Sequence, residues 1–203
     1  MNLKQSLANA QFLISAANPS DLPEDVGVEI AFAGRSNAGK SSVLNKICTR
    51  KQLARSSKTP GRTQLINFFA LANQNKLVDL PGYGYAKASQ AKQRQCNKLL
   101  EFYFTERTAL RGTVLVMDVR HPLQKGDLAM LEWCVYHKCD VHLLLNKADK
   151  LSRQQGLKQL NFVKQSLQAY AETTISQQLF SATTGIGMDD MLTKLNAWLT
   201  KTN

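Results

Sequence analysis

The sequence predicts an α/β domain: a mostly parallel, six-stranded sheet with helices on both faces. Short apolar, β-branched runs alternate with longer stretches of helical spacing, the pattern of strand–helix–strand units. One run, Thr113 to Val119, is apolar almost without a break, as in a strand covered on both sides. The chain has 203 residues, 43% hydrophobic and only 20% charged, enough for one core and against a mainly disordered chain.

Residues 1–24 read as a short N-terminal extension and 25–203 as a single domain. Val28 to Ala33 reads as the first strand and Ser41 to Arg50 as a helix. Leu65 to Leu71 and Lys76 to Leu80 read as two strands joined by an Ala-Asn-Gln-Asn turn. Lys87 to Leu110 reads as a long helix, with Leu99, Leu100, Tyr103 and Phe104 at helical spacing. Thr113 to Val119 is a strand, Gly126 to His137 a helix and Val141 to Leu145 a strand. A helix opens at Ser152 and runs through Tyr170, Gln178 to Ser181 ends a last short strand, and Met188 to Leu199 is the final helix.

Composition bounds the function class. Phe12 to Ala17 is a short apolar patch with no basic lead-in, and no apolar run approaches the roughly 20 residues of a membrane span. Neither a secretory signal nor a membrane insertion is expected, and the expected location is cytoplasmic. Cysteines 48, 96, 134 and 139 form no CxxC pair, which fits reduced thiols; Cys134 and Cys139 read as packing residues. His121, His137 and His142 are scattered and read as structural. The net charge is +11, and it is uneven. Residues 1–34 carry −3, residues 35–111 carry +12 and residues 112–203 carry +2. A basic middle section implies a polyanionic partner: phosphate, nucleic acid or an anionic surface.

In a parallel α/β sheet, ligands bind beyond the carboxyl ends of the strands. After the first strand comes Gly34-Arg35-Ser36-Asn37-Ala38-Gly39-Lys40-Ser41, the pattern G-x-x-x-x-G-K-[ST] between a strand and a helix. The glycines let successive N–H groups face one anion, and the helix start adds its positive dipole end. Lys40 reaches the β/γ-phosphates and the Ser41 hydroxyl ligates Mg²⁺. After the third strand, Asp79-Leu80-Pro81-Gly82 offers a carboxylate that holds Mg²⁺ through water and a Gly amide for a γ-phosphate. After the fifth strand comes Asn146-Lys147-Ala148-Asp149. A carboxylate at Asp149 accepts hydrogen bonds from guanine N1–H and its 2-amino group; adenine would leave it unpaired, a mismatch that is strongly rejected. Asn146 ties the loops together and reaches N7, the Lys147 stem covers the base plane, and an N–H in Phe180-Ser181-Ala182 meets O6.

Four boxes in this order resemble those of the Ras-like GTPases. The finer runs Gly34 to Ser42, Lys58-Thr59-Pro60-Gly61-Arg62-Thr63-Gln64 before Asn67-Phe68-Phe69, and Asp79 to Ala86 resemble the EngB (YihA/YsxC) family, in the same superfamily as Era and EngA. The resemblance covers nearly the whole chain. Asn146 stands where many members carry Thr. The resemblance implies a Ras-like P-loop fold, GTP hydrolysed to GDP with Mg²⁺, and a role in assembling the large ribosomal subunit, linked to cell division and septation. It places switch-one contacts on Gly61, Arg62, Thr63, Gln64 and Leu65. Thr63 is then the second Mg²⁺ ligand, with Thr59 the competing choice. The catalytic set becomes Lys40, Thr63 and Gly82. A monomer is the default.

Many GTPases carry Gln directly after the DxxG glycine; Tyr83 stands there and cannot do what a carboxamide does, so slow intrinsic turnover is expected. Asn37 could bring a K⁺ to the α- and γ-phosphates, or simply stabilise its own loop. Arg35 and Arg62 read as surface or RNA-facing residues rather than charge stabilisers in cis. Tyr83 and Tyr85 either pack beneath the switch or join Lys87, Lys92, Arg94 and Lys98 in an RNA-docking surface. The alternative function is a constitutive rRNA-binding assembly chaperone that uses GTP mainly as a structural ligand. A nucleotide kinase would leave Asn146 to Asp149 idle.

Overall fold

The computed structural model describes residues 2–54, 65–83, 90–170 and 174–200, apart from the side chains of Lys92 and Ala169. The elements run α1 (Leu3–Ala8), β1 (Gln11–Ala16), β2 (Glu29–Gly34), α2 (Lys40–Ile47), β3 (Ile66–Ala70), β4 (Lys76–Asp79), α3 (Gln90–Glu106), β5 (Leu110–Asp118), α4 (Lys125–Tyr136), β6 (Asp140–Asn146), α5 (Arg153–Ser166), β7 (Ile175–Leu179) and α6 (Met188–Thr200). Among the described residues the sheet has seven strands in the order β1-β3-β4-β2-β5-β6-β7. Strands β4, β2, β5, β6 and β7 are mutually parallel, while β1 and β3 pair antiparallel at one edge.

The strand absent from the sequence reading is β1, which makes seven rather than six. It lies on the edge, so Phe12, Leu13 and Ile14 stay exposed and show no one-sided alternation. Its short helix α1 is pinned instead by Leu7 and Ala10, both buried. The other elements fall where expected to within a few residues.

Period-two alternation divides the core. Ala31, Ala33, Leu115, Met117, Leu143 and Leu145 face α3, α4 and α5, against Leu99, Tyr103, Leu131, Cys134 and Val163. Ile30, Phe32, Val114, Val116 and Leu144 face α1, α2 and α6, against Leu7, Val43, Leu44, Met191, Leu195 and Trp198. Both faces are covered, which is why the parallel strands read as unbroken apolar runs. Cys134, Cys139 and Cys48 are buried free thiols, and burial pushes the Cys48 thiol up to about 12. His142 is buried between Ser176 and Gln178. At the amino end of β2, fully buried Glu29 accepts from Arg107 Nε at 3.2 Å and Tyr103 Oη at 3.1 Å, with Lys76 Nζ at 3.5 Å. This charged node lies at the end of the sheet opposite the residues singled out above.

Candidate nucleotide site

The loop Gly34–Gly39 leaves β2 and enters α2. A Cβ at Gly34 would sit 2.7 Å from the Val116 carbonyl oxygen, so only glycine lets the loop begin against β5. Gly39 has φ +96°, and a Cβ there would meet Asn146 Nδ2 at 2.4 Å. Asn37, at φ 65°, also adopts the left-handed conformation. Val43 N donates to Gly39 O at 2.9 Å, so α2 begins at once and its first N–H groups face the loop. Lys40 Nζ forms an ion pair with the Asp79 carboxylate at the end of β4. The pairing Phe32↔Asp79 and the bond from Leu80 N to Phe32 O at 2.9 Å fix that juxtaposition. The Leu80 side chain and Pro81 are buried, so this stretch presents its backbone and Gly82 to the site.

Residues 146–149 and 180–182 converge from two strand ends onto this loop. Asn146 Nδ2 donates to Ala38 O at 3.0 Å, while Asn146 Oδ1 accepts from Ala182 N at 3.2 Å. One side chain thus ties all three loops, as expected. Lys147, at φ 66°, lays its stem across the phosphate loop; its Nζ donates to Asn37 O at 2.7 Å and to Asp118 Oδ2 at 2.9 Å. Asp149 Oδ1 accepts from Ser181 Oγ at 2.5 Å, and this hydrogen bond holds its carboxyl below the usual range. Asp149 is thereby an ionised acceptor aimed beside Ala182. Ala148 is buried and its N–H donates to Phe180 O at 3.0 Å. The Phe180 ring is fully buried in the core, and its N–H donates to Leu145 O at 2.9 Å. Phe180 is therefore the anchor of this strand end, and buried Ser181 holds Asp149 while Ala182 N–H meets Asn146. Asn37 and Lys147, both in the left-handed conformation, lie side by side here.

Gly61, Arg62, Thr63 and Gln64 lie outside the described residues, as do Thr59, Tyr85 and Lys87; Leu65 is half-buried before β3. Arg35 corrects its surface reading, whereas Tyr83 takes the packed one of its two readings. Neither faces outward: Arg35 Nε bonds Asp127 Oδ2 at 3.1 Å, and Tyr83 Oη donates to Asp127 Oδ1 at 2.9 Å. Two residues were missed. Asp118, at the end of β5, grips Lys147 and Arg120, and the Arg120 hydrogen bond drives its carboxyl well below the usual range. The strand-end rule that found Asp79 applies equally to Asp118. Asp127 carried no such signal; a polar residue in the first turn of a helix reads as a cap.

Residues 29–147 match the family described as "50S ribosome-binding GTPase". A protein of Francisella tularensis subsp. tularensis named "Probable GTP-binding protein EngB" is 50% identical over 192 residues, 94% of this chain and 98% of that one. The chain belongs to the EngB family of GTP-binding proteins. A Coxiella burnetii member is 50% identical over 189 residues, 93% of this chain and 92% of its own. As a member of the EngB family, the chain is a GTPase. A crystal structure described as a probable GTP-binding protein engB superposes with TM-score 0.66 at 21% identity, over 85% of this chain and 98% of that chain. Aquifex aeolicus Era bound to GDP and aluminium fluoride gives TM-score 0.66 at 18% identity, over 88% of this chain and 59% of that chain. These two likenesses show the shared P-loop GTPase fold.

Proposed function

We propose that this EngB-family GTPase acts as a GTP-driven switch in assembly of the large ribosomal subunit, in the cytoplasm, with normal septation and cell division depending on it. The observation that carries the reading is the match of residues 29–147 to a family described as 50S ribosome-binding, in a chain whose residues 35–111 carry +12. A crystal structure of Era with MgGDPNP and a segment of 16S ribosomal RNA gives TM-score 0.65 at 19% identity over 58% of that chain, a likeness of fold to a GTPase that binds RNA. Exposed Arg94 and Lys98 on α3 extend the positive face beyond the DxxG segment.

The site fits a magnesium–guanosine triphosphate by its donor set. The phosphate loop is drawn so close to Asn146 that a Cβ at Gly39 has no room. Ser41 in the first turn of α2, with Asp79 beside it through a bound water and Thr63 from switch one, would hold Mg²⁺. When bound, the ion would offset charge developing between the β- and γ-phosphates. Lys40 exchanges Asp79 for the phosphates, since a triphosphate brings more negative charge than one carboxylate. Backbone N–H groups where the loop turns into α2, at Gly39 to Ser41, orient the phosphate chain, and Gly82 N–H meets the γ-phosphate. Asp149, Asn146 and Ala182 select guanine. Tyr83, where many GTPases carry Gln, is held by Asp127 and does not guide the attacking water, so unaided turnover is slow. Asn37 would coordinate a K⁺ that supplies the missing positive charge; equal hydrolysis rates in KCl and NaCl would dispose of that role.

Co-sedimentation with large-subunit precursors tests the switch. The expected result is association with a GTP analogue, release with GDP, and a steep loss of affinity as salt rises. Equal association in the GTP, GDP and nucleotide-free states would contradict it and favour a constitutive RNA chaperone.

A further inference from the structure

The phosphate loop, the residue after Gly82 and the start of α4 meet on one buried carboxylate. Asp127 is fully buried. Its Oδ1 accepts from Tyr83 Oη at 2.9 Å and from Arg35 Nε at 3.2 Å. Its Oδ2 accepts from Arg35 Nε at 3.1 Å and Gln124 N at 3.0 Å. Arg35 spends a second nitrogen on the His121 carbonyl at 3.1 Å. Backbone pairing runs beside the side chains: Ser36 N donates to Tyr83 O at 3.1 Å, and Arg35 and Tyr83 form an isolated parallel bridge. The ring of Tyr83 lies on Gly126, where a Cβ would come within 2.9 Å of its Cδ2. Glycine in the first turn of a helix sacrifices roughly 1 kcal/mol of helix propensity against alanine, and here it clears the seat of the ring.

We propose that Asp127 is a positioning residue for the GTPase switch: through Tyr83 it fixes the Gly82 amide where the γ-phosphate is sensed. The proposal rests on the assignment of Gly82 to the γ-phosphate made under the proposed function. A buried carboxylate tolerates no half-made set of partners, because each missing donor leaves uncompensated charge away from water. The node therefore holds all its members or none. Burial, with the Asp127 charge beside it, pushes the Tyr83 phenol far above its ordinary value, so it donates throughout the physiological range. The node also sets apart the two nucleotides. GDP ends before Gly82 and is indifferent to its position; GTP contacts it. A ligand shifts an equilibrium only by its differential affinity for the two arrangements, so slackening the node weakens GTP and spares GDP.

Tyr83→Phe removes a single oxygen, and Asp127→Asn removes the charge at nearly constant shape. Each is titrated as the full chain with GDP and with a non-hydrolysable GTP analogue, alongside wild type and Gly82→Ala. The expected result is a loss of analogue affinity of about tenfold or more, the scale of one hydrogen bond to a charged group, with GDP affinity changed less than about twofold. Tyr83→Phe keeps the test decisive if Asp127→Asn folds poorly. Equal losses for both nucleotides would show a merely structural node and overturn the proposal, as would no change in either. If Gly82→Ala shifts the ratio and Tyr83→Phe does not, the node is at fault; if neither shifts it, the γ-phosphate assignment of Gly82 falls and the proposal with it.

Discussion

Replacing Gly39 by Ala should damage the protein through Asn146, and a double-mutant cycle measures this. Gly39 sits at φ +96°, and the new methyl would lie 2.4 Å from Asn146 Nδ2. The left-handed backbone costs a residue with a Cβ about 1.5 kcal/mol. The displaced carboxamide loses its bonds to Ala38 O at 3.0 Å and from Ala182 N at 3.2 Å. At about 1 kcal/mol for each bond, Gly39→Ala should cost about 3.5 kcal/mol and Asn146→Ala about 2 kcal/mol. In the double variant the methyl has nothing to displace and the bonds are already gone, so it should cost about 3.5 kcal/mol rather than the additive 5.5. The unfolded-chain entropy difference between Gly and Ala cancels in the cycle. The assay is urea unfolding of the four proteins free of nucleotide, so that ligand linkage does not enter. Additivity within about 0.5 kcal/mol would refute the claim that Gly39 is required by Asn146.

Two further outcomes follow from the buried polar groups. His142, desolvated between β6 and β7, is depressed from 6.5 to about 4, with Lys194 reinforcing the shift and Gln178 and Asp190 opposing it. The unfolded chain takes up this proton first, so the stability is whole above pH 6.5 and drains away as pH falls toward 4; the loss is about 3 kcal/mol. His142→Gln should flatten the pH dependence of the urea midpoint in that window, and an unchanged slope would contradict the assignment. Arg107→Leu should destabilise the fold by about 3 kcal/mol by stranding Glu29, with Lys76 still near. Thermal unfolding checks this, and Glu29→Met in the same chain should restore part of the loss.

Strand ends were the legible part of the site. Lys40, Asp79 and the Asn146–Asp149 pair are widely separated in sequence, yet each follows an apolar run, and parallel strands deliver such residues to one edge. Asp118 follows the same rule and was overlooked because no short motif surrounds it. Side-chain direction was not legible. Arg35 reads as a surface residue and Tyr83 as either packed or outward-facing, and Asp127, 92 and 44 positions away in the chain, receives both. Phe180 read as part of the base contact, whereas its ring anchors the strand end in the core. Strand β1 was hidden for a different reason: an edge strand buries little, and its exposed Phe12, Leu13 and Ile14 mimic an unstructured apolar patch.

Selection of guanine by an ionised Asp149 is the central claim, and calorimetry on folded, nucleotide-free protein tests it most directly. With Mg²⁺ present, the account predicts that GTP binds roughly a thousandfold or more tighter than ATP, because adenine leaves that carboxylate unpaired. ATP binding within a few-fold of GTP would contradict it.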